Sequence, residues 1–399
     1  MVKVPWLLIA NAFNRALTIA TQLVVGFLLV PEQVGLFVVA AGIAGMSSPF
    51  QSADHARLAL QDRDQPSATA GILRNWLLVG SLGSCVVAIV VLPAIGFTVA
   101  VAPLACLAML SLLRVMANLR ISLLSLSGRS GAIAVASVSE GLARSLVLVG
   151  SALLGAGMWS LVFGEVAAVL VSVVLLAWLE PAPLTGGWRM PPWLPRRLLT
   201  TIGISLLVGV EVNCSAIAIG NLIGTAAAGS FAFANRIAGQ LGVLILPLIA
   251  LEVIPRLLAV RDAAQHFRET SQRECRRLLY IIVPLAVVVM VAGPWAMVLL
   301  WGERWREAAG MLRWLGLSLG LRLAYALAKA HLEALGVFPR ILMLSVLDTI
   351  LIVGAVVLVG LSGDATAVVM ALACESALIL GVAVVVVRRS MPALAQVRA

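Results

Sequence analysis

The stretch Gly35-Leu-Phe-Val-Val-Ala-Ala-Gly-Ile-Ala-Gly45 nearly returns 194 residues further on, as Gly229-Ser-Phe-Ala-Phe-Ala-Asn-Arg-Ile-Ala-Gly239. Gly35, Phe37, Ala40, Ile43, Ala44 and Gly45 reappear as Gly229, Phe231, Ala234, Ile237, Ala238 and Gly239. A second match follows at an offset of 208: Leu124, Gly128, Ser137 and Val138 recur as Leu332, Gly336, Ser345 and Val346, with Glu140 answered by Asp348. An offset that drifts in this way is what loops of unequal length produce between two equivalent halves. Chance is the plain alternative, because Gly, Ala, Val and Leu match easily in a chain of low complexity. The Pro- and Gly-rich stretch 180–197, at the midpoint, favours duplication.

Composition says what kind of halves these are. Of 399 residues, 62% are hydrophobic and 12% charged, and the mean hydropathy is +1.08. A soluble globular chain runs at roughly 45–50% apolar and about 25% charged. Apolar runs long enough to cross a hydrocarbon core recur from end to end, with no polar stretch long enough for a soluble domain. A soluble protein with a large core would need charged amphipathic surfaces, and these are missing. Run length and the lack of strict alternation predict helices rather than barrel strands. Segment 4–30 is too long for the apolar core of a signal peptide and lacks a small-residue cleavage pattern, so it reads as a span.

Twelve helices are expected, over 6–29, 34–51, 70–92, 98–122, 130–154, 156–179, 198–219, 226–253, 277–300, 309–332, 338–360 and 364–387. Six per half is an even number and returns the chain to its starting side, which makes the halves parallel copies about an axis along the membrane normal. The fold class is therefore an all-α polytopic membrane protein, with two six-helix lobes around a central cavity. An N-terminal lobe over 1–179, a cytoplasmic linker over 180–197 and a C-terminal lobe over 198–399 are expected. Such symmetry is a transporter plan, which an anchoring bundle would not need.

Basic residues orient the bundle. The even-numbered loops hold Arg57, Arg63, Arg129, Arg189, Arg196, Arg197, Arg256, Arg261, Arg268, Arg273, Arg276 and Arg340, and the tail adds Arg388, Arg389 and Arg398. The odd-numbered loops hold only Arg304 and Arg306. Positive charge on the inner side puts both termini and the even-numbered loops in the cytoplasm. The net charge of +10 is then a topology signal, and nucleic acid is not an expected partner. The basic stretch 256–277 could also attract anionic membrane lipid.

Cys85, Cys106, Cys214, Cys275 and Cys374 are scattered and read as small packing residues, not as a metal site or disulfide framework. No enzyme or cofactor motif appears: there is no Walker-type loop and no His-Glu-x-x-His. His55, His266 and His331 fall in or beside cytoplasmic loops and are expected to face solvent.

Ionisable groups at membrane depth carry the functional signal. Each costs about 2.5–3.5 kcal/mol at a helix centre, which is tolerable only toward the protein interior or a wet cavity. Asn11, Arg15, Thr18 and Gln22 share one face of the first helix, and Ser318, Arg322, Tyr325 and Lys329 repeat the spacing in the tenth. Ser111, Arg114, Asn118 and Ser122 form a comparable stripe in the fourth; the eighth has Asn235, Arg236 and Gln240. Glu140 and Arg144, one turn apart, read equally as a pair that neutralises itself, and Lys329 as a side chain reaching to the headgroups. Arg15, Arg114, Arg236 and Arg322 lie well inside their helices without an obvious local acid.

Four such arginines imply an anionic visitor, since a guanidinium offers five donors in a rigid fork suited to phosphate oxygens. The expected substrate-facing set is Arg15, Arg114, Arg236, Arg322, Asn11, Asn118, Asn235, Gln240 and Tyr325. Arg144 and Lys329 could add charge, and Glu165, Glu211 and Glu375 are candidate coupling or gating acids. A proton or cation pump would show an excess of buried carboxylates instead.

Several stretches together resemble a known family. They are Leu28-Leu-Val-Pro-Glu-Gln-Val-Gly-Leu-Phe-Val-Val-Ala40, Ile219-Gly-Asn-Leu-Ile-Gly-Thr-Ala-Ala-Ala-Gly-Ser-Phe-Ala-Phe-Ala-Asn-Arg-Ile-Ala238, Val253-Ile-Pro-Arg256, Trp301-Gly-Glu-Arg-Trp305 and Leu332-Glu-Ala-Leu-Gly336. The chain resembles the polysaccharide-export branch of the superfamily that also holds multidrug and toxin extruders and lipid II flippases. The resemblance implies a flippase that moves polyprenyl-pyrophosphate-linked oligosaccharide outward through a cationic cavity by alternating access. Implied partners are the lipid-linked anionic glycan, membrane lipids, and glycosyltransferases or a polysaccharide polymerase. Arg236 matches the arginine of the family's Ala-Tyr-Arg stretch, with Asn235 in place of tyrosine. The family's Asp-Arg or Asp-Lys in the seventh helix is replaced by Ser215-Ala216, near Glu211 and Asn213. An exporter of small amphipathic cations and a non-transporting scaffold for sugar assembly are the alternatives.

Overall fold

A computed structural model describes residues 6–51, 58, 66–91, 101–180, 186–260 and 263–390, and over these the chain is all-α. His55, Arg57, Arg63, Arg261, Arg398 and part of the expected linker, 181–185, lie outside the described residues. The long helices are α1 (Trp6–Leu28), α2 (Pro31–Gly45), α3 (Pro66–Val86), α4 (Val101–Leu126), α5 (Ser130–Leu153) and α6 (Met158–Leu179). They continue with α7 (Leu194–Leu222), α8 (Thr225–Leu248), α9 (Ala264–Trp301), α10 (Arg306–Ala334), α11 (Phe338–Gly360) and α12 (Ala365–Ser390). A π turn, Val87–Val91, prolongs α3, and another, Ile249–Val253, leads from α8 into Ile254–Ala259. The second follows Pro247, whose missing amide hydrogen interrupts the helical ladder.

Among the described residues, eight helices are long and apolar enough to cross a membrane, which corrects the expectation of twelve such spans. Neither α2 nor α10 is among them. α2 has only 15 residues. α10 is interrupted by Arg313, Arg322 and Lys329, while α1 carries the polar stripe of Asn11 and Arg15 and α8 that of Asn235, Arg236 and Gln240. Large apolar side chains lie exposed elsewhere, among them Leu146, Leu154, Val174, Trp178, Val291 and Leu358, as a hydrocarbon surrounding allows and water does not.

α9 starts 13 residues earlier than the expected span over 277–300. Phe267, Ser271, Glu274 and Leu278 are buried at helical spacing and pack this start onto the core, while the exposed face takes Arg268 and Arg276. Part of this basic charge is neutralised internally. Arg256 pairs with Glu252 at 3.1 Å and with Glu274 at 2.8 Å, and Arg277 pairs with Glu252 at 3.1 Å.

The chain divides into two compact units, Met1–Asn213 and Cys214–Ala399, and the division falls within α7. In the first unit α4 packs on α2, α3 and α6, and α5 on α1 and α6. In the second α10 packs on α8, α9 and α12, and α11 on α12. Except for that of α1 with α5, the pairings repeat with six helices' displacement, and so does local geometry. The turn from α4 to α5 bonds Arg129 N–H to the Leu124 carbonyl and Gly128 N–H to that of Ser125; the turn from α10 to α11 repeats this with Val337 to Leu332 and Gly336 to Glu333. Gly128 and Gly336 hold φ of 67° and 73°, the left-handed conformation such a helix end requires.

The repeated residues of the opening stretch form buried faces. Phe37, Ala40, Ile43 and Ala44 are buried in α2, and Phe231, Ala234 and Ala238 in α8. Asn235 and Arg236, which the first copy lacks, are exposed. α1 is held to α5 by side-chain hydrogen bonds: Asn14 Nδ2 donates to Ser137 Oγ at 2.8 Å, and Thr21 Oγ1 to Ser145 Oγ at 2.9 Å. Such bonds hold helices together in lipid, where apolar packing alone gives little preference.

The segment before α7 is strapped to α3. Asn75 Nδ2 donates to the carbonyls of Gly186 and Gly187, both at 3.2 Å, and the Trp76 indole donates to that of Trp188 at 3.1 Å. A Cβ on Gly186 would stand 2.4–2.6 Å from backbone atoms of Ala68, Gly71 and Ile72. Gly186→Val is therefore expected to lift the strap and cost about 1–3 kcal/mol as overpacking. Thermal unfolding in detergent, followed by the fluorescence of Trp76 and Trp188, checks this; an unchanged midpoint would mean the strap is not closed.

Candidate functional site

In the first unit the polar side chains of three helices converge. Arg114 Nη2 on α4 donates to Glu165 Oε2 on α6 at 2.6 Å. Arg144 on α5 bridges the same carboxylate, Nε to Oε1 at 3.1 Å, and pairs one turn back with Glu140 at 3.1 Å. A cavity of about 440 Å³ opens beside this network, lined by Gln51, Arg114, Asn118, Glu140, Ser172 and Ser205 among others. Asn118 Nδ2 donates to the Gln51 carbonyl. The pair with Glu165 does not exhaust Arg114: 41% of its side chain is exposed, and a guanidinium carries five donors.

The second unit repeats the arrangement. Arg322 Nη2 on α10 donates to Glu375 Oε2 on α12 at 2.8 Å and lies 3.5 Å from Asp348 Oδ1 on α11. Ser376 Oγ, 2.9 Å from Ser318 Oγ, lies 3.3 Å from Glu375 Oε2. One turn from Arg322, buried Tyr325 lies beneath Lys329, whose Nζ is 5.2 Å from the ring centroid and 3.3 Å from Ser345 Oγ. Arg322 and Asp348 follow Arg114 and Glu140 by 208 residues, and Glu375 follows Glu165 by 210. The arginine–carboxylate triad is thus duplicated along with the fold.

This corrects one premise. Arg114 has no acid on its own helix and Arg322 none within two turns, yet each meets a glutamate more than fifty residues away on a packed neighbour. Glu165 and Glu375, expected as coupling or gating acids, are the arginines' partners. The structure brings together Arg114, Asn118, Glu165 and Arg144 in the first unit, and Arg322, Tyr325, Lys329 and Glu375 in the second. Asp348 was legible only as the answer to Glu140; the shared offset of 208 between Arg114 and Arg322 was the signal for its role.

The remaining residues of the expected set lie on α1, α7 and α8. Asn11 and Arg15 are exposed on α1, and among the described residues Arg15 makes no ion pair. Asn235 and Arg236 are exposed on α8, with Gln240 half-buried one turn on, and Glu211 is half-buried on α7. His331 is buried, contrary to expectation: its Nδ1 lies 2.7 Å from the Leu327 carbonyl and its Nε2 3.8 Å from Cys275 Sγ. Of the cysteines Cys85 is buried, but Cys106 and Cys374 are exposed on their helices.

A family model described as "polysaccharide biosynthesis protein" matches residues 24–310. No curated protein sequence matches the chain. Among solved structures, an inward-facing multidrug resistance MATE family transporter of the MOP superfamily is similar at 16% identity, covering 97% of this chain and 96% of that one, with a TM-score of 0.73. The lipid II flippase MurJ in an inward closed conformation is similar at 11% identity, covering 97% and 89%, with a TM-score of 0.72. A MOP superfamily transporter from Pyrococcus furiosus, described as having a binding pocket of reversed polarity, is similar at 16% identity over 97% and 92%, with a TM-score of 0.56. At these identities the likeness is one of fold.

Proposed function

We propose that this chain, which belongs to the polysaccharide biosynthesis protein family matched over residues 24–310, is a flippase for polyprenyl-pyrophosphate-linked oligosaccharide. It is read as a transporter and not an enzyme, working by alternating access of two six-helix lobes about a central cavity in a bacterial inner membrane. The fold it shares with MATE transporters and MurJ supports transport. The observation that carries the substrate class is the placing of cationic groups inside membrane helices, above all exposed Arg15 on α1 and Arg236 on α8. Exposed guanidinium groups within membrane helices are expensive against lipid. They are suited to a pyrophosphate, whose oxygens accept their paired donors. The pyrophosphate and sugars would travel along these polar faces while the polyprenyl tail stays in hydrocarbon.

The test is transport of a fluorescent polyprenyl-pyrophosphate oligosaccharide in vesicles containing the purified chain. Arg15→Ala and Arg236→Ala are each expected to slow flipping at least about tenfold, the effect of losing roughly 1.4 kcal/mol of binding in the path, with unchanged insertion. Wild-type rates in both would remove the cationic path.

A second reading is an exporter of amphipathic cations. It is favoured by the MATE structures, one of which matches the fold as well as MurJ does and which are the more numerous, and by the buried acids Asp348 and Glu375. Under that reading the same vesicles would move a lipophilic fluorescent cation, and Arg15→Ala would leave its rate unchanged.

A further inference from the structure

The two triads differ by one positive charge. In the first unit Glu140 and Glu165 are served by two arginines, Arg114 and Arg144. In the second, Asp348 and Glu375 share one nitrogen of Arg322. The position equivalent to Arg144, 208 residues on, is Ile352, which is buried. Asp348 is 1% and Glu375 5% exposed, so water does not make up the difference. Asp348 Oδ1 and Glu375 Oε1 are buried and have no hydrogen-bond partner among the described residues.

Neighbouring groups do not supply the missing charge. On α10, Lys329 engages Ser345 and the Tyr325 ring, and it makes no ion pair with either acid among the described residues. α8, which packs on α10 and α12, carries Arg236 on its exposed face. α9 carries no charged group between Leu278 and Trp301, and its Tyr280 is exposed. An uncompensated buried carboxylate is costly enough that the group takes up a proton instead.

We propose that Asp348 and Glu375 form a proton-binding site, one proton being held between Asp348 Oδ1 and Glu375 Oε1. With the proton bound, the triad is neutral: one carboxylate pairs with Arg322 and the other, as the acid, donates to it. Without the proton the triad carries one excess negative charge among α10, α11 and α12. The first-unit network, already balanced, binds none. Proton uptake by this chain is thereby confined to one half of a duplicated fold, at the pair the duplication left short of an arginine.

The site is tested on the purified full chain without substrate, so that its failure is distinct from failure of the glycan reading. Infrared difference spectra are recorded in potassium buffer as pH rises from acid to alkaline. The wild type is expected to lose one protonated-carboxyl stretch. Asp348→Asn and Glu375→Gln, isosteric changes that each leave Arg322 one partner, are both expected to abolish that band, whereas Glu165→Gln is expected to keep it. Melting curves confirm that each variant is folded. A wild type without a titrating band, or a band that persists in Asp348→Asn or Glu375→Gln, overturns the proposal. Loss of the band when sodium replaces potassium at constant acid pH would also overturn it, by assigning the pair to a metal cation.

Discussion

Replacing Arg322 by alanine is expected to destabilise the chain by about 3–5 kcal/mol, the usual cost of removing one partner from a buried ion pair, and to stop transport. The side chain serves two carboxylates from two other helices, Glu375 at 2.8 Å and Asp348 at 3.5 Å, both almost fully buried. Its loss leaves them facing each other with no positive charge, and α10, α11 and α12 lose the contact that ties them together. The penalty lies in the orphaned acids more than in the missing guanidinium, and this makes it reversible. Glu375→Gln combined with Arg322→Ala is expected to recover much of the melting temperature while transport stays lost. Recovery of both would make the arginine a structural strut without substrate contact; wild-type melting of Arg322→Ala would mean that the triad bears no load.

Trp305→Ala is expected to cost a similar amount, about 3–5 kcal/mol, through the cavity left by an indole in a packed interior. Trp305 is fully buried between α9 and α10, stacked on Phe233 with ring centroids 4.0 Å apart, and Trp301 meets the same phenyl ring edge-on at 5.1 Å. Phe233 belongs to the second copy of the repeated stretch, two residues before Asn235. Shifting this aromatic cluster would therefore disturb the helix that carries Arg236. Trp305→Phe keeps a ring in place and is expected to lose less than half as much. Chemical unfolding in mixed micelles separates the two variants, and equal losses would argue against stacking as the cause.

Composition made the fold class legible, because no soluble chain of this size could leave so few charges at its surface. The repeat made the packing legible: residues shared by Gly35–Gly45 and Gly229–Gly239 are largely the buried ones, and Gly128 and Gly336 end their helices in the same conformation. Span counting went too far at α2, which has only 15 residues, and at α10, whose apolar face Arg313, Arg322 and Lys329 interrupt. The basic stretch before Leu278 read as a loop because its charges were counted without the period of Phe267, Ser271, Glu274 and Leu278. Ion-pair partners escaped for a different reason. A search for acids one turn away finds Glu140 beside Arg144 but not Glu165 beside Arg114, since that contact depends on which helices pack.

The polarity of α1, α8 and α10 has a consequence for how the protein is made. Each arginine or asparagine at membrane depth reduces what a helix gains from the bilayer on inserting alone. The residues that hold α1, Ser137 and Ser145 on α5, follow Asn14 and Thr21 by 123 and 124 residues. During synthesis α1 is therefore expected to lack these partners until three further helices have been made and α5 arrives to receive it. The glycan route proposed for the finished transporter would then be the part of the nascent chain most in need of help to enter the membrane.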